Sequence, residues 1–406
     1  MTKILKNQAS KSKAVRADDE KTNAAGEVAQ VITQKTPEEK PNLARRSLLT
    51  AGVAIAGGSG LVGLSGATTA NASQNQPNPD NPLQTVHSQV RGNMSTIGDV
   101  GKEFNGFDAA EMLTDWDTGT LSVDASGQTV RTFEIEAIDK DIEIAPGVFF
   151  PAWTYNGRVP GPALRATEGE KIRVVFKNFG SMPHSIHFHG IHSARMDGIP
   201  GTPGVIDPGG EFTYEFNAFP FGCHLYHCHV LPLVRHMHKG MYGAFIIDPD
   251  PNKQTEFSDI AQSRLLGSQQ NQQWQELVMI MNAFDTNFDG ANEFYAVNTV
   301  AHHFMKHPIP LDKSRPIRIY LVNVTEFDPI NSFHLHGNFF DYYDHGTTLT
   351  PTSRIVDTIM QCQAQRGIIE FSFKDHEDGL YMFHAHQAEF TELGWMGLFE
   401  IKGPRA

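Results

Sequence analysis

The sequence predicts an all-β chain built from two β-sandwich domains, and three observations carry that prediction. With 36 Gly, 23 Pro and 27 Phe in 406 residues, the composition favours short strands joined by tight turns over long helices. Strand-like runs alternate with turn residues through two stretches of comparable length. The two stretches repeat the same order of motifs, as an internal duplication would. A chain of this length can bury two or three cores.

Taken in order, residues 1–72 read as an address. After a polar, lysine-rich leader, Ala44-Arg45-Arg46-Ser47-Leu48-Leu49 opens a Gly- and Ala-rich apolar run that ends near Ala70-Asn71-Ala72. A twin-arginine pair before such a run and an A-x-A site after it indicate an export signal. The mature chain would then start near Ser73 and work in the periplasm or outside the cell. A short membrane anchor is the competing reading, weakened by the glycines, and no other stretch approaches the ~20 apolar residues of a spanning helix. Residues 73–118, with Asn75-Gln76-Pro77-Asn78-Pro79, are expected to form a flexible lead-in with one short helix around Asp108 to Leu113.

The first domain is expected over 119–250. Thr132-Phe-Glu-Ile-Glu-Ala137 alternates, Lys171-Ile-Arg-Val-Val-Phe176 is β-branched, and Glu211-Phe-Thr-Tyr-Glu-Phe216 alternates again, with turns at Asn156-Gly157 and Pro208-Gly209-Gly210. A linker over 251–273, rich in Gln, Ser and Asn from about 258, precedes the second domain at 274–404. There Glu276-Leu-Val-Met-Ile-Met281, Pro316-Ile-Arg-Ile-Tyr-Leu-Val322 and Ile368-Ile-Glu-Phe-Ser-Phe373 read as strands.

A formal net charge of −13 argues against nucleic acid and anionic membrane surfaces, which need clustered Lys and Arg. Three cysteines, Cys223, Cys228 and Cys362, cannot make a disulfide framework; Cys223 and Cys362 could pair or stay free. Nineteen histidines are the outlier, because four His-x-His pairs fall two to each half: His187/His189, His227/His229, His334/His336 and His384/His386. A fifth, His236/His238, stands apart. Residues i and i+2 of a strand share a face, so each pair can present two imidazoles to one metal region. Eight imidazoles without carboxylates suit copper, with zinc left open on these residues alone.

Cys228 decides between them. It lies between His227 and His229, so on a strand its sulfur points to the opposite face from both imidazoles. With His184 upstream and His236 and Met241 downstream, Cys, two His and a Met make the trigonal site with a weak axial thioether that defines blue copper.

Here the chain resembles the multicopper oxidases, through His184-Ser-Ile-His187-Phe-His189-Gly190, Tyr226-His227-Cys228-His229, His236 with Gly240-Met241, Tyr155-Asn-Gly-Arg-Val-Pro-Gly-Pro162 and Glu168-Gly-Glu170. The resemblance runs from about Thr118 to Ile401 and is nearest to two-domain, laccase-like enzymes with the blue copper in the first domain, which are related to copper nitrite reductases. It implies two cupredoxin-like Greek-key sandwiches and about four coppers per chain: one type 1, one type 2 and two type 3. His187 and His334 would hold the type 2 copper, and His189, His227, His229, His336, His384 and His386 the type 3 pair. Asn331 and Ala385 replace the histidine and cysteine of a second blue site, which therefore cannot form. In relatives the cluster closes between neighbouring subunits, so a homotrimer is implied; head-to-tail contacts that close a ring are physically reasonable.

The implied activity is oxidation of a donor, a phenol or a metal ion such as Cu(I) or Mn(II), coupled to four-electron reduction of O2 to water. Proton delivery needs a carboxylate near the cluster, and Asp197 and Glu389 are the candidates. Nitrite reduction to nitric oxide is the rival on the same fold; it needs two coppers, and its relatives keep an aspartate where His187 stands. A non-enzymatic blue-copper electron carrier would need one copper.

The remaining motifs are expected to be structural. Asp285-Thr-Asn-Phe-Asp289-Gly290 resembles the opening of a calcium loop, but Ala296 occupies its twelfth place, so a plain turn is expected. His302, His303 and His307 could form an accessory site, but they precede Pro308-Ile-Pro310 in a loop-like stretch and are expected to be surface histidines, with His224 and His238 as bystanders.

Overall fold

The computed structural model describes residues 97–266 and 273–403, so the export-signal reading and the first part of the lead-in lie outside the described residues. Two cupredoxin-like β-sandwiches make up the described chain. In the first, one sheet runs Trp116–Asp117, Ala163–Thr167, Tyr242–Asp248, Gly222–His227, His187–Phe188. The facing sheet runs Thr120–Val123, Thr129–Ala145, Lys171–Asn178, Glu211–Asn217, and Val148–Tyr155 folds back on the long strand Thr129–Ala145. The second sandwich repeats the plan. Gln275–Phe284 pairs parallel with Ile317–Asn323 as Thr129–Ala145 does with Lys171–Asn178. Ile309–Asp312 pairs parallel with Met396–Lys402 as Ala163–Thr167 does with Tyr242–Asp248.

Every strand expected from alternation forms, because the pattern is matched by the environment. Lys171–Asn178 alternates half-buried and buried residues, its Ile172, Val174 and Phe176 filling the first core. The Asn156-Gly157 turn has φ of 55° and 69° at its two residues, the left-handed pair that a tight hairpin needs. Tyr242–Asp248 and Ile317–Asn323 are buried on both faces, since the two sandwiches abut. Leu225, Ala244 and Ile246 of one sheet pack with Val278, Ile280, Val322 and Ile368 of the other in a third apolar core. Sheets covered on both sides lose alternation and read as continuous apolar runs.

Two connecting stretches are more ordered than their composition suggests. The expected flexible lead-in carries a helical turn at Lys102–Asn105 and a 3-10 turn at Glu111–Leu113, and Ala109 and Leu113 enter the second core. Burial of these few apolar side chains outweighs the polar background. Within the linker, Ser258–Arg264 is a helix whose Ala261 and Arg264 are buried. Cys223 and Cys362 are both free thiols, one buried and one exposed. No helix among the described residues is long and apolar enough to cross a membrane.

Candidate metal centres

The strand Gly222–His227 and the residues that continue it separate two kinds of site by their alternation. Cys228 is fully buried in the first core while His229 is only half-buried. Toward the core, Cys228 Sγ meets His236 Nδ1 at 3.2 Å and His184 Nδ1 at 3.9 Å, and the two Nδ1 atoms are 3.3 Å apart. His236 arrives on the short helix Leu233–His238, which sequence reading did not foresee, and Met241 follows it, fully buried. The backbone ties the group together, as Cys228 N–H donates to Met241 O at 3.0 Å and Met241 N–H to His236 O at 3.3 Å. Trp153 packs on both imidazoles, 5.4 Å from His184 and 4.8 Å from His236 between ring centroids.

Burial sets the charge state of this group. It pushes the His184 and His236 imidazoles down to about 4, so both are neutral at neutral pH, and pushes the Cys228 thiol up to about 11. A buried thiol gives up its proton when a cation takes its place, and three such donors with a thioether at hand fit copper rather than a hard ion.

On the other face, His187 and His227 sit opposite each other across the antiparallel pair Phe188/Tyr226 and His187/His227. The rings of His189, His227 and His229 all lie 4.9–5.3 Å from that of His187, and His189 lies 4.9 Å from His227. The second sandwich repeats this set. His334 pairs with His384 in register, and His336, His384 and His386 lie 4.9–5.3 Å from the His334 ring.

Hydrogen bonds at Nδ1 aim the other nitrogens outward. His187 Nδ1–H donates to Asp197 Oδ1 at 2.8 Å and to its carbonyl at 2.9 Å. His227 Nδ1–H donates to the Cys228 carbonyl at 2.8 Å, and His384 Nδ1–H to the matching carbonyl of Ala385. His334 Nδ1 lies 3.0 Å from the Asp357 carbonyl and 2.8 Å from Thr358 Oγ1. A proton held at Nδ1 leaves Nε2 as a bare lone pair. Nε2 of His189 then faces Nε2 of His227 at 2.8 Å, and Nε2 of His336 faces Nε2 of His384 at 2.9 Å. Opposed ring nitrogens at that separation, with His187 beside the first pair and His334 beside the second, are a donor set that fits a transition-metal ion. Burial pushes His227 down to about 3 and His189 to about 2, helped by the neighbouring imidazoles.

Among the described residues no hydrogen bond or ring contact joins the first imidazole set to the second. His336 and His386 are exposed. The pocket of the second sandwich that answers to the thiol site is closed: Ala385 is fully buried and Asn331 Oδ1 accepts from the Trp395 indole at 3.1 Å.

Of the two carboxylates singled out, Asp197 lies against His187 and 3.5 Å from His192 Nε2. Glu389 instead lines a surface cavity with Asn292, Glu293 and Glu392. Sequence reading missed Ser185 and Ser332, whose hydroxyls accept from the His229 and His386 amides at 3.1 and 2.7 Å. Their shared offset two residues before His187 and His334 was the available signal. His302 is buried, not on the surface, because its amide donates to the Gly394 carbonyl and its backbone turns through φ 58° into a helix. His238 accepts from the Asp285 amide at 3.0 Å, and His224 donates to the Pro220 carbonyl at 2.9 Å. The turn at Asp285 holds Glu293, at the ninth place, within 4.8 Å of Asp285 and Asp289.

Models of the multicopper oxidase family match residues 138–252 and 268–404. A crystal structure described as a multicopper oxidase is 49% identical, superimposes with a TM-score of 0.68, and covers 75% of this chain and 100% of its own. A probable nitrite reductase-hydroxylamine oxidoreductase fusion protein of Kuenenia stuttgartiensis is 27% identical over 66% of this chain and 31% of its own length. Laccase-1 of Botryotinia fuckeliana is 38% identical over 26% of this chain and 19% of its own. The chain thus spans less than a third of these two curated relatives. Two family matches in tandem, one on each sandwich, identify the chain as a two-domain multicopper oxidase related to the copper nitrite reductases.

Proposed function

We propose that the chain is a laccase-like, copper-dependent oxidoreductase that takes single electrons from a donor at a type 1 site and passes them to dioxygen at a trinuclear site. The observation that carries this reading is the two-faced strand, with Cys228 turned to His184 and His236 while its neighbours His227 and His229 turn to the other imidazoles. Type 1 ligands would be His184, Cys228, His236 and Met241; His187 and His334 would hold type 2 copper; His189, His227, His229, His336, His384 and His386 would hold the type 3 pair. Copper there supplies one-electron redox chemistry and, as a four-ion set, the reduction of O2 to water.

The chain's own part is positioning and access. Cys228 and its two flanking histidines provide a continuous covalent path between the two kinds of site. Trp153 and the first core keep water from the thiol, whereas the second imidazole set reaches the surface through the exposed His336 and His386. Two matching half-sites that do not meet within one chain support closure between subunits, a homotrimer in which a first-sandwich set faces a second-sandwich set. The export signal would place the enzyme in the periplasm or outside the cell.

Copper content and turnover test this. The purified chain is expected to hold about four coppers, to consume O2 with a phenolic donor and to leave nitrite untouched; about two coppers with nitrite turnover, or one copper and no turnover, would replace the oxidase reading.

Asp197 holds the His187 tautomer. Asp197→Asn is therefore expected to weaken copper retention at the His187 set or turnover by roughly 10–100-fold, with the blue absorbance unchanged. Metal analysis after dialysis against a chelator, alongside the visible spectrum, checks both halves of that statement.

Acid should unfold the copper-free protein early. His184 and His236 are held at about 4 in the fold against 6.5 when free. The unfolded chain therefore takes up protons first as pH falls below 6.5, and stability is lost between pH 6.5 and 4, not regained. The pair should cost on the order of 2–5 kcal/mol across that window. Urea melts at pH 7 and pH 4.5 measure it; equal midpoints would overturn the assignment of neutral buried imidazoles.

A further inference from the structure

The helix His303–Lys306 and its C-cap residue His307 present a His-x-x-x-His pair that the oxidase reading does not use. His303 and His307 are one helical turn apart, with His307 N–H donating to the His303 carbonyl at 2.9 Å and the two ring centroids 5.0 Å apart. The turn is pinned: Phe304 is buried in the second core, and a Cβ at Gly397 of the neighbouring strand would come within 2.6 Å of Phe304 Cβ. His303 Nε2 is buried without a hydrogen-bond partner. Against this pair lies the lead-in. Asp99 Oδ1 is 2.7 Å from His307 Nε2, and its other oxygen is 2.6 Å from Lys306 Nζ. Asp108 commits Oδ1 to the amides of Ala110 and Glu111, at 2.8 and 3.2 Å. The carboxylates of Asp108 and Asp99 both act on the His303 ring, where burial is the larger influence and lowers its proton affinity.

We propose that His303, His307 and Asp99, with Asp108 beside them, form an accessory site for one divalent transition-metal ion, zinc or copper(II), that staples the lead-in to the second sandwich. Two imidazoles at i and i+4 with carboxylates select zinc or copper over calcium and magnesium, which want oxygen ligands throughout. Two carboxylates against one ammonium leave one net negative charge for a dication. The ion takes the place of the proton that His307 Nε2 now shares with Asp99 Oδ1, and that proton leaves to solvent. His303 Nε2, idle in the metal-free state, completes the chelate by a side-chain rotation. The lead-in is already part of the same core through Ala109 and Leu113, so the ion closes a contact whose backbone is in place. None of these residues belongs to the proposed catalytic sites, and the inference does not rest on them.

Titrating zinc chloride into the copper-loaded wild-type chain, by calorimetry with metal analysis after gel filtration, tests it. One zinc per chain above the copper content is expected, with a zinc-dependent rise in Tm. The exposed-side variants His307→Ala and Asp99→Asn, and the double variant His303→Ala/His307→Ala, should each weaken zinc binding at least tenfold and lose the Tm rise. Their blue absorbance and donor oxidation should stay at the wild-type level, which shows that the fold survives. Absence of saturable zinc binding in the wild type, or variants that bind zinc as the wild type does, overturns the site. Because the readout is the zinc difference between variants, it stands whether the chain holds four coppers or fewer.

Discussion

Cys228→Ser is expected to remove the strong blue absorbance and donor oxidation together while leaving both imidazole sets able to take copper. The substitution changes one atom in a site where Cys228 is fully buried and its Sγ lies 3.2 Å from His236 Nδ1 and 3.9 Å from His184 Nδ1. Serine nearly conserves volume, so the first core should keep its packing. Its hydroxyl, unlike a thiol, does not ionise at accessible pH and is a poor partner for copper. Bound copper should fall from about four to about three per chain, with the loss confined to the type 1 signal in electron paramagnetic resonance. Electrons would then lack an entry point, although His227 and His229 remain. A Cys228→Ser protein that keeps its blue colour would place the thiolate site elsewhere, and one that keeps its colourless copper but still oxidises a phenol would remove Cys228 from the route.

The opposition of Cys228 and its flanking histidines was legible because it depends on nothing but strand periodicity, a local property. The same holds for the strands over 171–178 and 317–323, whose alternation or apolar run follows from which faces are covered. What could not be read depends on long-range packing. That no hydrogen bond or ring contact joins the first and second imidazole sets among the described residues depends on how two sandwiches dock through Leu225, Ala244, Ile280 and Val322, and no spacing encodes it. Asp197 and Glu389 both follow a His-x-His pair in sequence, and Glu389 is the nearer of the two to its pair; only the fold puts Asp197 on His187 and leaves Glu389 in a cavity with Glu293 and Glu392. The lead-in looked solvated because its composition is polar, whereas among its described residues four apolar side chains, Phe107, Ala109, Met112 and Leu113, are buried and anchor it.

The docking of the sandwiches also contains a buried ionic network, and breaking it is expected to have the largest effect on stability of any single change outside the cores. Arg165, on the first sandwich, holds Asp248 through Nε at 3.0 Å and Glu276 of the second sandwich through Nη1 at 3.0 Å, and donates from Nη2 to the Arg264 carbonyl of the linker helix at 2.8 Å. Arg318 bridges Glu276 at 3.1 Å and Glu370 at 2.7 Å, and Arg264 lies 3.6 Å from Glu370. Arg165, Arg264 and Arg318 balance Asp248, Glu276 and Glu370 within a nearly dry volume. Burial alone would raise the Glu276 carboxyl, but Arg165 and Arg318 outweigh it and hold it below the usual range, so it stays charged. Arg165→Met keeps the bulk over Trp116, whose ring lies 4.6 Å from the guanidinium, but strands two carboxylates without one of their cations. Removing one partner of a buried pair costs about 3–5 kcal/mol because the remaining charge keeps its desolvation penalty. The urea midpoint of the copper-free chain should fall accordingly with m unchanged. Adding Asp248→Asn to Arg165→Met should restore part of the loss, since it discharges one of the stranded carboxylates. A loss below about 1 kcal/mol for the single variant would mean that water reaches the network and that the apolar contacts alone hold the two halves in place.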